Sequence, residues 1–176
     1  MKRIFATIAI VLSACVLSFA QGRKIDILEK AAGQRISFRY TYSLDQGEGM
    51  KEVTRGEVTA EGNCFVLTGL GLKTWSDGQA CWMLDEEAKE VVIDKIAKDD
   101  IFTNPALMVS NYRNFSDDIK VNKEGADYLD FTLRLDDDVS LRFVLKGIVI
   151  SEPEGVDEFS FDTSALSSDY VITDLR

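Results

Sequence analysis

Most of the residues in this chain that could do chemistry are carboxylates. Some of the aspartates are adjacent in the sequence and form three clusters. The clusters are Asp99-Asp100, Asp117-Asp118 and Asp136-Asp137-Asp138. Calcium accepts carboxylate oxygens, but none of the clusters has the spacing of an EF-hand loop. Each cluster falls where a turn is predicted. We therefore interpret all three as solvated turns, and we predict neither a metal site nor a cofactor.

Enzymatic chemistry is limited further by the residue types that the chain lacks. The 176 residues include no histidine, which excludes imidazole-ligated zinc enzymes and hydrolases built on a Ser-His or Cys-His pair. Two carboxylates acting as acid and base would need one cleft and pKa values pushed apart, and the sequence singles out no such pair. The sequence therefore predicts a protein that is not an enzyme and has no catalytic residue.

An export signal occupies the first 20 residues. Lys2 and Arg3 precede a nearly continuous apolar run from Ile4 to Leu12, which is typical of a secretory signal peptide and too short for a membrane span. Leaving this segment out of the fold gives a single predicted domain over residues 21–176. That length suffices for a hydrophobic core without disulfide bonds.

Two cleavage sites compete at the end of this signal. Leu12-Ser13-Ala14-Cys15 fits a lipobox, where a bacterial lipoprotein is cut and acylated, whereas Ser18-Phe19-Ala20 fits ordinary secretory cleavage. A lipid-anchored Cys15 would be followed by an apolar stretch where a tether is usually polar and flexible. We predict cleavage after Ala20 and a free periplasmic protein, and lipid anchoring at Cys15 is the alternative.

The chain is acidic, with a formal net charge of −10. Loss of Lys2 and Arg3 with the signal peptide makes the mature form more acidic still. Such a charge repels nucleic acid and anionic membrane surfaces and favours solubility. We predict no nucleic-acid partner and a monomeric protein.

The elements that would position a binding site begin with a short helix and a strand. Residues 25–32 have the apolar period of a helix that ends at Gly33. The period then changes to two, because Ile36, Phe38 and Tyr40 alternate with polar residues in a strand that continues to Leu44.

Short strands separated by turns follow along most of the chain. Runs between residues 53 and 96 recur about every ten residues, and the Asp77-Gly78 dipeptide is the strongest hairpin signal. Thr103 or Asn104 caps a second predicted helix that starts at Pro105. Further strands are predicted at 127–135, 139–150 and 170–172. The pattern predicts an antiparallel sheet of nine or ten strands with two helices, large enough to curl.

The mature chain keeps two cysteines, Cys64 and Cys81. An even count in an exported protein suggests a disulfide. The predicted hairpins, however, place Cys81 opposite Thr74 and Thr74 opposite about Val66, which leaves the two cysteines roughly 10 Å apart. Because that distance exceeds the reach of a disulfide, we predict that both thiols are free.

The concave face of a curled sheet has to be filled. Two short helices cannot cover ten strands, so a cavity for an apolar ligand is one interpretation. The other is that Trp75, Trp82, Phe38, Tyr40 and Phe65 are ordinary core aromatics. The pattern alone leaves both open.

One stretch of the chain resembles a known family. Residues 74–84, TWSDGQACWML, have an SDG turn and a tryptophan four residues after its glycine, and a valine-rich strand begins at Val91. In this the stretch resembles the middle of LolA-type outer-membrane lipoprotein carriers. The order of the other elements agrees, from the N-terminal helix through Thr103-Asn104-Pro105 to the C-terminal VITDLR, and so the resemblance covers nearly the whole mature chain.

The resemblance implies an incomplete β-barrel whose helices form a lid over an apolar cavity. It implies a periplasmic carrier that takes the acyl chains of lipoproteins, or a similar amphiphilic ligand, from the inner to the outer membrane. The implied partners are acylated lipoproteins, an inner-membrane lipoprotein-releasing transporter and an outer-membrane acceptor. We assign the cavity to the apolar residues of one strand face and the lid: Ile36, Phe38, Tyr40, Phe65, Leu67, Trp82, Leu84, Leu107 and Met108.

The chain departs from the family pattern at two places. Glu61-Gly62-Asn63 stands where the carriers have an arginine that latches the lid. The C-terminal half also looks short by about a hairpin. Two alternatives stay open beside the carrier: a LolB-like acceptor anchored through Cys15, and an envelope interaction module whose sheet is simply packed.

Overall fold

The computed structural model describes residues 24–96 and 104–176. The predicted signal peptide with its two cleavage sites, Asp99-Asp100 and Thr103 lie outside those ranges. The described chain forms one ten-stranded sheet with two short α-helices and three 3-10 turns, so the mainly β fold predicted from the sequence is confirmed. No described helix is long and apolar enough to cross a membrane.

The bounds of the elements agree closely with the sequence pattern for most of the chain. The helices are α1 (Asp26–Ala31) and α2 (Pro105–Asn111), and the 3-10 turns are Tyr112–Phe115, Asp157–Phe159 and Thr163–Ala165. The strands are β1 (Arg35–Asp45), β2 (Lys51–Glu61), β3 (Cys64–Gly69), β4 (Leu72–Asp77), β5 (Ala80–Asp85), β6 (Glu90–Lys95), β7 (Ile119–Glu124), β8 (Tyr128–Arg134), β9 (Ser140–Ser151) and β10 (Val171–Asp174).

The sheet is open, with strand order β10-β6-β5-β4-β3-β2-β1-β9-β8-β7. Consecutive strands form antiparallel hairpins from β1 to β6 and from β7 to β9, and β9 returns to pair with β1. The prediction of a wholly antiparallel sheet is wrong at β10, which lies parallel to β6. The reason is the preceding connection, residues 152–170, which is long enough to cross a face of the sheet before β10 begins.

Strand β7 is absent from the sequence prediction. Its pattern is weak because only Ile119 and Val121 are apolar, and the pairing with β8 shifts after Val121 at an irregularity. Together with β8 it supplies a hairpin after α2. The structure therefore has a hairpin after α2 that the sequence prediction lacks.

The hairpin registers also differ from the predicted ones. Gly78, at φ +86°, is the first of two loop residues, and Asp77 Oδ1 accepts hydrogen bonds from the backbone N–H groups of Gln79 and Ala80. As a result Cys81 lies opposite Ser76, not Thr74. Thr74 in turn lies opposite Leu67, so the predicted pairing with Val66 is off by one residue.

The observed register explains why the two cysteines are not bonded to each other. Phe65, Ser76 and Cys81 form one row across β3, β4 and β5, so their side chains point to the same face of the sheet. Cys64 is next to Phe65 in sequence and therefore points to the other face. Both thiols are free.

Candidate functional site

Two separate apolar clusters lie on the two faces of the sheet. The face against which α1 and α2 pack, here called the helix face, carries the larger cluster, with residues of β1, β2, β3, β7, β8 and β9. The opposite face carries a smaller cluster on β4, β5 and β6. The helices therefore cover only part of the helix face. The part of that face formed by β4, β5 and β6 is not covered by them.

Helix α2 is short, but its position is well fixed. Asn104 caps it, because its Oδ1 accepts hydrogen bonds from the N–H groups of Ala106 and Leu107, and Pro105 occupies the first turn. Leu107 and Met108 are 2% and 1% exposed. Burying two such side chains contributes about 3–6 kcal/mol, much more than the intrinsic helix preference of seven residues.

A hydrogen bond ties α2 to the turn between β2 and β3. The Ser110 hydroxyl donates to the carbonyl oxygen of Gly62 over 2.8 Å. Gly62 is in the turn between β2 and β3, at φ +61°. A neutral hydroxyl-to-carbonyl contact, worth about 1 kcal/mol, therefore holds this end of α2.

The two helices are also tied to each other. Arg113, which follows α2, donates to both carboxylate oxygens of Glu29 in α1, at 2.9 and 2.6 Å, and the Tyr112 hydroxyl donates to Glu29 as well. These hydrogen bonds lower the pKa of Glu29 to about 2, with Arg113 as the largest cause. At neutral pH the helices are therefore joined by a charged pair.

An apolar cavity of about 290 Å³ lies beside α2, over the part of the helix face that the helices leave uncovered. Its apolar lining comes from β3, β4 and β5, the turn between β3 and β4, the residue after β6 and helix α2. Asn104 and Asp94 are among the polar residues that line it. Its volume is close to the lower end of ligand pockets, about 300 Å³. The apolar side chains that line it are Phe65, Leu67, Leu70, Leu72, Met83, Ile96 and Leu107.

One wall of this cavity depends on close contact between Tyr40 and two glycines. The Tyr40 hydroxyl donates to the carbonyl oxygen of Thr68 over 2.9 Å, and burial raises the pKa of Tyr40. A Cβ atom at Gly69 would come within 2.2 Å of that hydroxyl, and one at Gly56 within 1.8 Å of the Thr68 oxygen. Because the second contact is with the backbone, only glycine fits at position 56, whereas a side chain at position 69 would displace the Tyr40 hydroxyl.

A free thiol also lines the cavity. Cys81 is half-buried there, and burial, with a smaller contribution from the Asp94 carboxylate, raises its pKa to about 11. The thiol is therefore protonated and weakly nucleophilic at neutral pH. Cys64, on the other face, is a natural reference for any measurement of thiol accessibility.

The structure brings seven of the nine predicted cavity residues to one face. Ile36, Phe38, Tyr40, Phe65, Leu107 and Met108 belong to the helix-face cluster, and Leu67 packs against it. Among these, Tyr40, Phe65, Leu67 and Leu107 line the 290 Å³ cavity, whereas Phe38 and Met108 are buried elsewhere in the cluster.

The other two predicted residues, Trp82 and Leu84, lie on the opposite face. Strand β5 is apolar on both sides, so the sequence pattern cannot show which side lines a cavity. The residues that do so, Cys81 and Met83, were missed. The signal that identifies them is the register, since Met83 lies opposite Thr74 and Thr74 opposite Leu67.

The C-terminal segment, residues 152–170, covers the opposite face and is here called the strap. Phe161 stacks on Trp75 with ring centroids 4.4 Å apart, and Leu166 and Tyr170 pack against the same cluster. Phe159 is fully buried, and the Arg35 guanidinium lies 5.5 Å from its ring centre. The strap therefore closes the face that carries both tryptophans.

A larger cavity, about 500 Å³, is a polar groove at one end of β1, β7, β8 and β9. It brings together Asp117-Asp118 and Asp136-Asp137-Asp138, with Lys120 and Arg134 between them. All five aspartates are exposed. Among residues 24–96 and 104–176, no group of three or more His, Cys, Asp or Glu side chains is arranged to hold a metal ion. The exposure of all five aspartates agrees with the interpretation of these two clusters as solvated turns.

Comparison with known proteins gives little beyond this geometry. No family model matches the chain, and no curated protein matches it. Among solved structures, an uncharacterized conserved protein from Thermus thermophilus is similar at a TM-score of 0.44 and 11% identity, over 85% of this chain and 95% of that one.

Proposed function

We propose that this protein is a periplasmic carrier that binds the acyl chains of lipoproteins, or of a similar amphiphile, and moves them from the inner to the outer membrane. The observation that carries the proposal is the 290 Å³ apolar cavity beside α2. Acyl chains need an apolar surface shielded from water, and each buried methylene contributes about 0.8 kcal/mol. The LolA-like resemblance and its incomplete barrel with a helical lid remain part of this proposal.

The polar groups of the cavity support an amphiphilic ligand. Asn104, Asp94 and Lys95 are among its lining residues, and the floor is formed by Phe65 and Leu67. A chain inserted over this floor would leave its headgroup near groups that can form hydrogen bonds. The partners that follow are an acylated lipoprotein, an inner-membrane transporter that releases it, and an outer-membrane acceptor.

Binding can be tested with a dansyl-labelled fatty acid and the two thiols. In a Cys64→Ser variant the ligand should protect Cys81 from maleimide, and in a Cys81→Ser variant it should leave the labelling of Cys64 unchanged. Met83→Trp should fill the cavity and abolish binding, whereas Val149→Trp, on an exposed position of β9, should not. Absence of saturable binding to the wild-type protein would refute the proposal.

A packed interaction module is the second candidate. One observation favours it: α1 and α2 join residues of six strands in a single buried cluster, so much of the helix face is already filled. The fatty-acid titration separates the two candidates, because a module without a site leaves Cys81 equally reactive with and without ligand.

The mature N-terminus separates the carrier from a LolB-like acceptor. A protein cleaved after Ala20 would be free to move between membranes, whereas an acylated Cys15 would hold it at one. Mass spectrometry of the protein purified from its own cell envelope gives the answer directly. A lipidated Cys15 would favour the acceptor.

A further inference from the structure

A second, smaller cavity lies on the other side of α2. Its volume is about 190 Å³, and α1, the ends of β1 and β2 and the C-terminal half of α2 line it. Its apolar lining includes Leu28, Ile36, Ala60 and Val109, and Gln34 and Asn63 stand among the polar lining groups. It therefore combines apolar and polar groups in the same way as the 290 Å³ cavity.

Helix α2 forms a ridge between the two cavities. Leu107 contributes to the larger cavity and Val109 to the smaller one. Residues two positions apart in an α-helix are rotated by about 200° around the helix axis. The side chains of Leu107 and Val109 therefore point to nearly opposite sides of α2. The hydrogen bond from Ser110 to Gly62 holds the helix down. Both cavities are therefore present when α2 is packed against the sheet.

We propose that the ligand has two acyl chains and straddles α2, with one chain in each cavity. This inference rests on the proposed carrier function and names the class of its cargo. Each cavity alone lies below the usual range of ligand pockets, whereas the two together fall within it. The chains diverge by about the width of one helix, some 10 Å, and their common headgroup lies over the exposed Ser110.

The affinity expected for the second chain follows from its buried length. Each methylene group that enters the smaller cavity should tighten binding about fourfold. A two-chain amphiphile should therefore bind at least tenfold tighter than a one-chain amphiphile with the same headgroup and chain length. One two-chain molecule, or two one-chain molecules, should saturate the protein.

The test compares short phosphatidylcholines with one or two chains, each kept below its micelle concentration. Two variants narrow the smaller cavity: Ala32→Trp, at an exposed lining position, and Ala31→Leu, at a buried one. Met83→Trp fills the larger cavity. The melting curve of each variant establishes that it is folded before its binding is measured.

The expected result is specific to the number of chains. Ala32→Trp and Ala31→Leu should lower the affinity for the two-chain lipid to that of the one-chain lipid. They should leave the affinity of the larger cavity for the one-chain lipid unchanged and reduce the number of bound one-chain molecules from two to one, while Met83→Trp weakens the binding of both lipids. Equal affinity of the wild type for both lipids, or an unchanged preference in the folded variants, would overturn the straddling arrangement and leave the carrier proposal standing. If neither lipid binds to the wild type, both the straddling arrangement and the carrier proposal are overturned.

Discussion

Replacing Gly56 with alanine should sharply destabilise the protein, because β2 and β3 approach each other too closely there for a side chain. The new Cβ would lie 1.8 Å from the carbonyl oxygen of Thr68, whereas real Cβ contacts are almost never shorter than 3.0 Å. The two strands would have to separate by more than 1 Å. That movement would stretch the hydrogen bonds that Thr68 accepts from Tyr40 and from the backbone of Glu57, both 2.9 Å long.

The size of the effect can be worked out from these contacts. Two weakened hydrogen bonds cost about 2 kcal/mol, and overpacking adds about 1–3 kcal/mol. Alanine also has less conformational freedom than glycine in the unfolded chain, and this raises the free energy of unfolding by about 0.4–1 kcal/mol. The free energy of unfolding should therefore fall by about 3 kcal/mol. With a urea dependence of about 2 kcal/mol per molar, the midpoint should drop by about 1.5 M.

Gly125→Ala is the matched control. A Cβ at Gly125 would meet its nearest neighbour, Tyr128 Cβ, at 3.6 Å, which is ordinary van der Waals contact. Its urea midpoint should stay close to that of the wild type. If the urea midpoint of Gly56→Ala also lies within about 0.3 M of the wild-type midpoint, β2 and β3 do not approach each other as closely as the structure shows.

Three further changes probe the rest of the molecule. Phe159→Ala should cost about 3–5 kcal/mol in urea unfolding, because this ring of the strap is fully buried. The NMR titration of the Glu29 carboxyl should have its midpoint near 2 and move towards 4.5 in Arg113→Ala. Asp130→Asn should cost about 2 kcal/mol at pH 7 through weaker hydrogen bonds from Arg142, whose contact lowers the pKa of Asp130.

The pH dependence of the last two follows from the sign of the pKa shifts. Both carboxyls have a lower pKa in the folded protein, so each stabilises it fully above its ordinary value, 4.5 for Glu29 and 3.8 for Asp130. The contribution is lost as the pH falls through the folded value. The stability difference between wild type and Asp130→Asn should therefore shrink in acid, and a difference that stayed constant down to pH 2 would contradict the pairing.

The sequence predicts those elements whose pattern and end signals agree. Helix α2 has an N-cap, a proline in its first turn and a buried apolar run, and its start is therefore found correctly at Pro105. Strand β1 alternates without interruption and is equally clear. Strand β7 has only two apolar residues and an irregular register, so its pattern is too weak to be recognised from period alone.

The hairpin registers could not be read to the residue. The Asp77-Gly78 dipeptide signals the turn, but the choice of loop residues depends on the backbone hydrogen bonds that the Asp77 carboxylate accepts. A displacement of two residues keeps every side chain on the same face and changes only its neighbours. The predicted pairing of β3 with β4, however, was displaced by one residue, and the observed pairing places Cys64 on the face opposite Cys81. Both thiols are free as predicted, but the predicted pairing that led to this expectation was wrong.

The face that lines the cavity is determined by residues far away in the chain. On β5, Trp82 and Leu84 are more apolar than Cys81 and Met83, and on composition alone they are the better cavity residues. The strap covers Trp82 and Leu84 on the face opposite the helices, where Phe161 stacks on Trp75. Once that face is closed, only the less apolar side of β5 faces the helices, and a cavity with mixed apolar and polar lining results. The same mixed lining suits an amphiphile with a polar headgroup better than a purely apolar ligand.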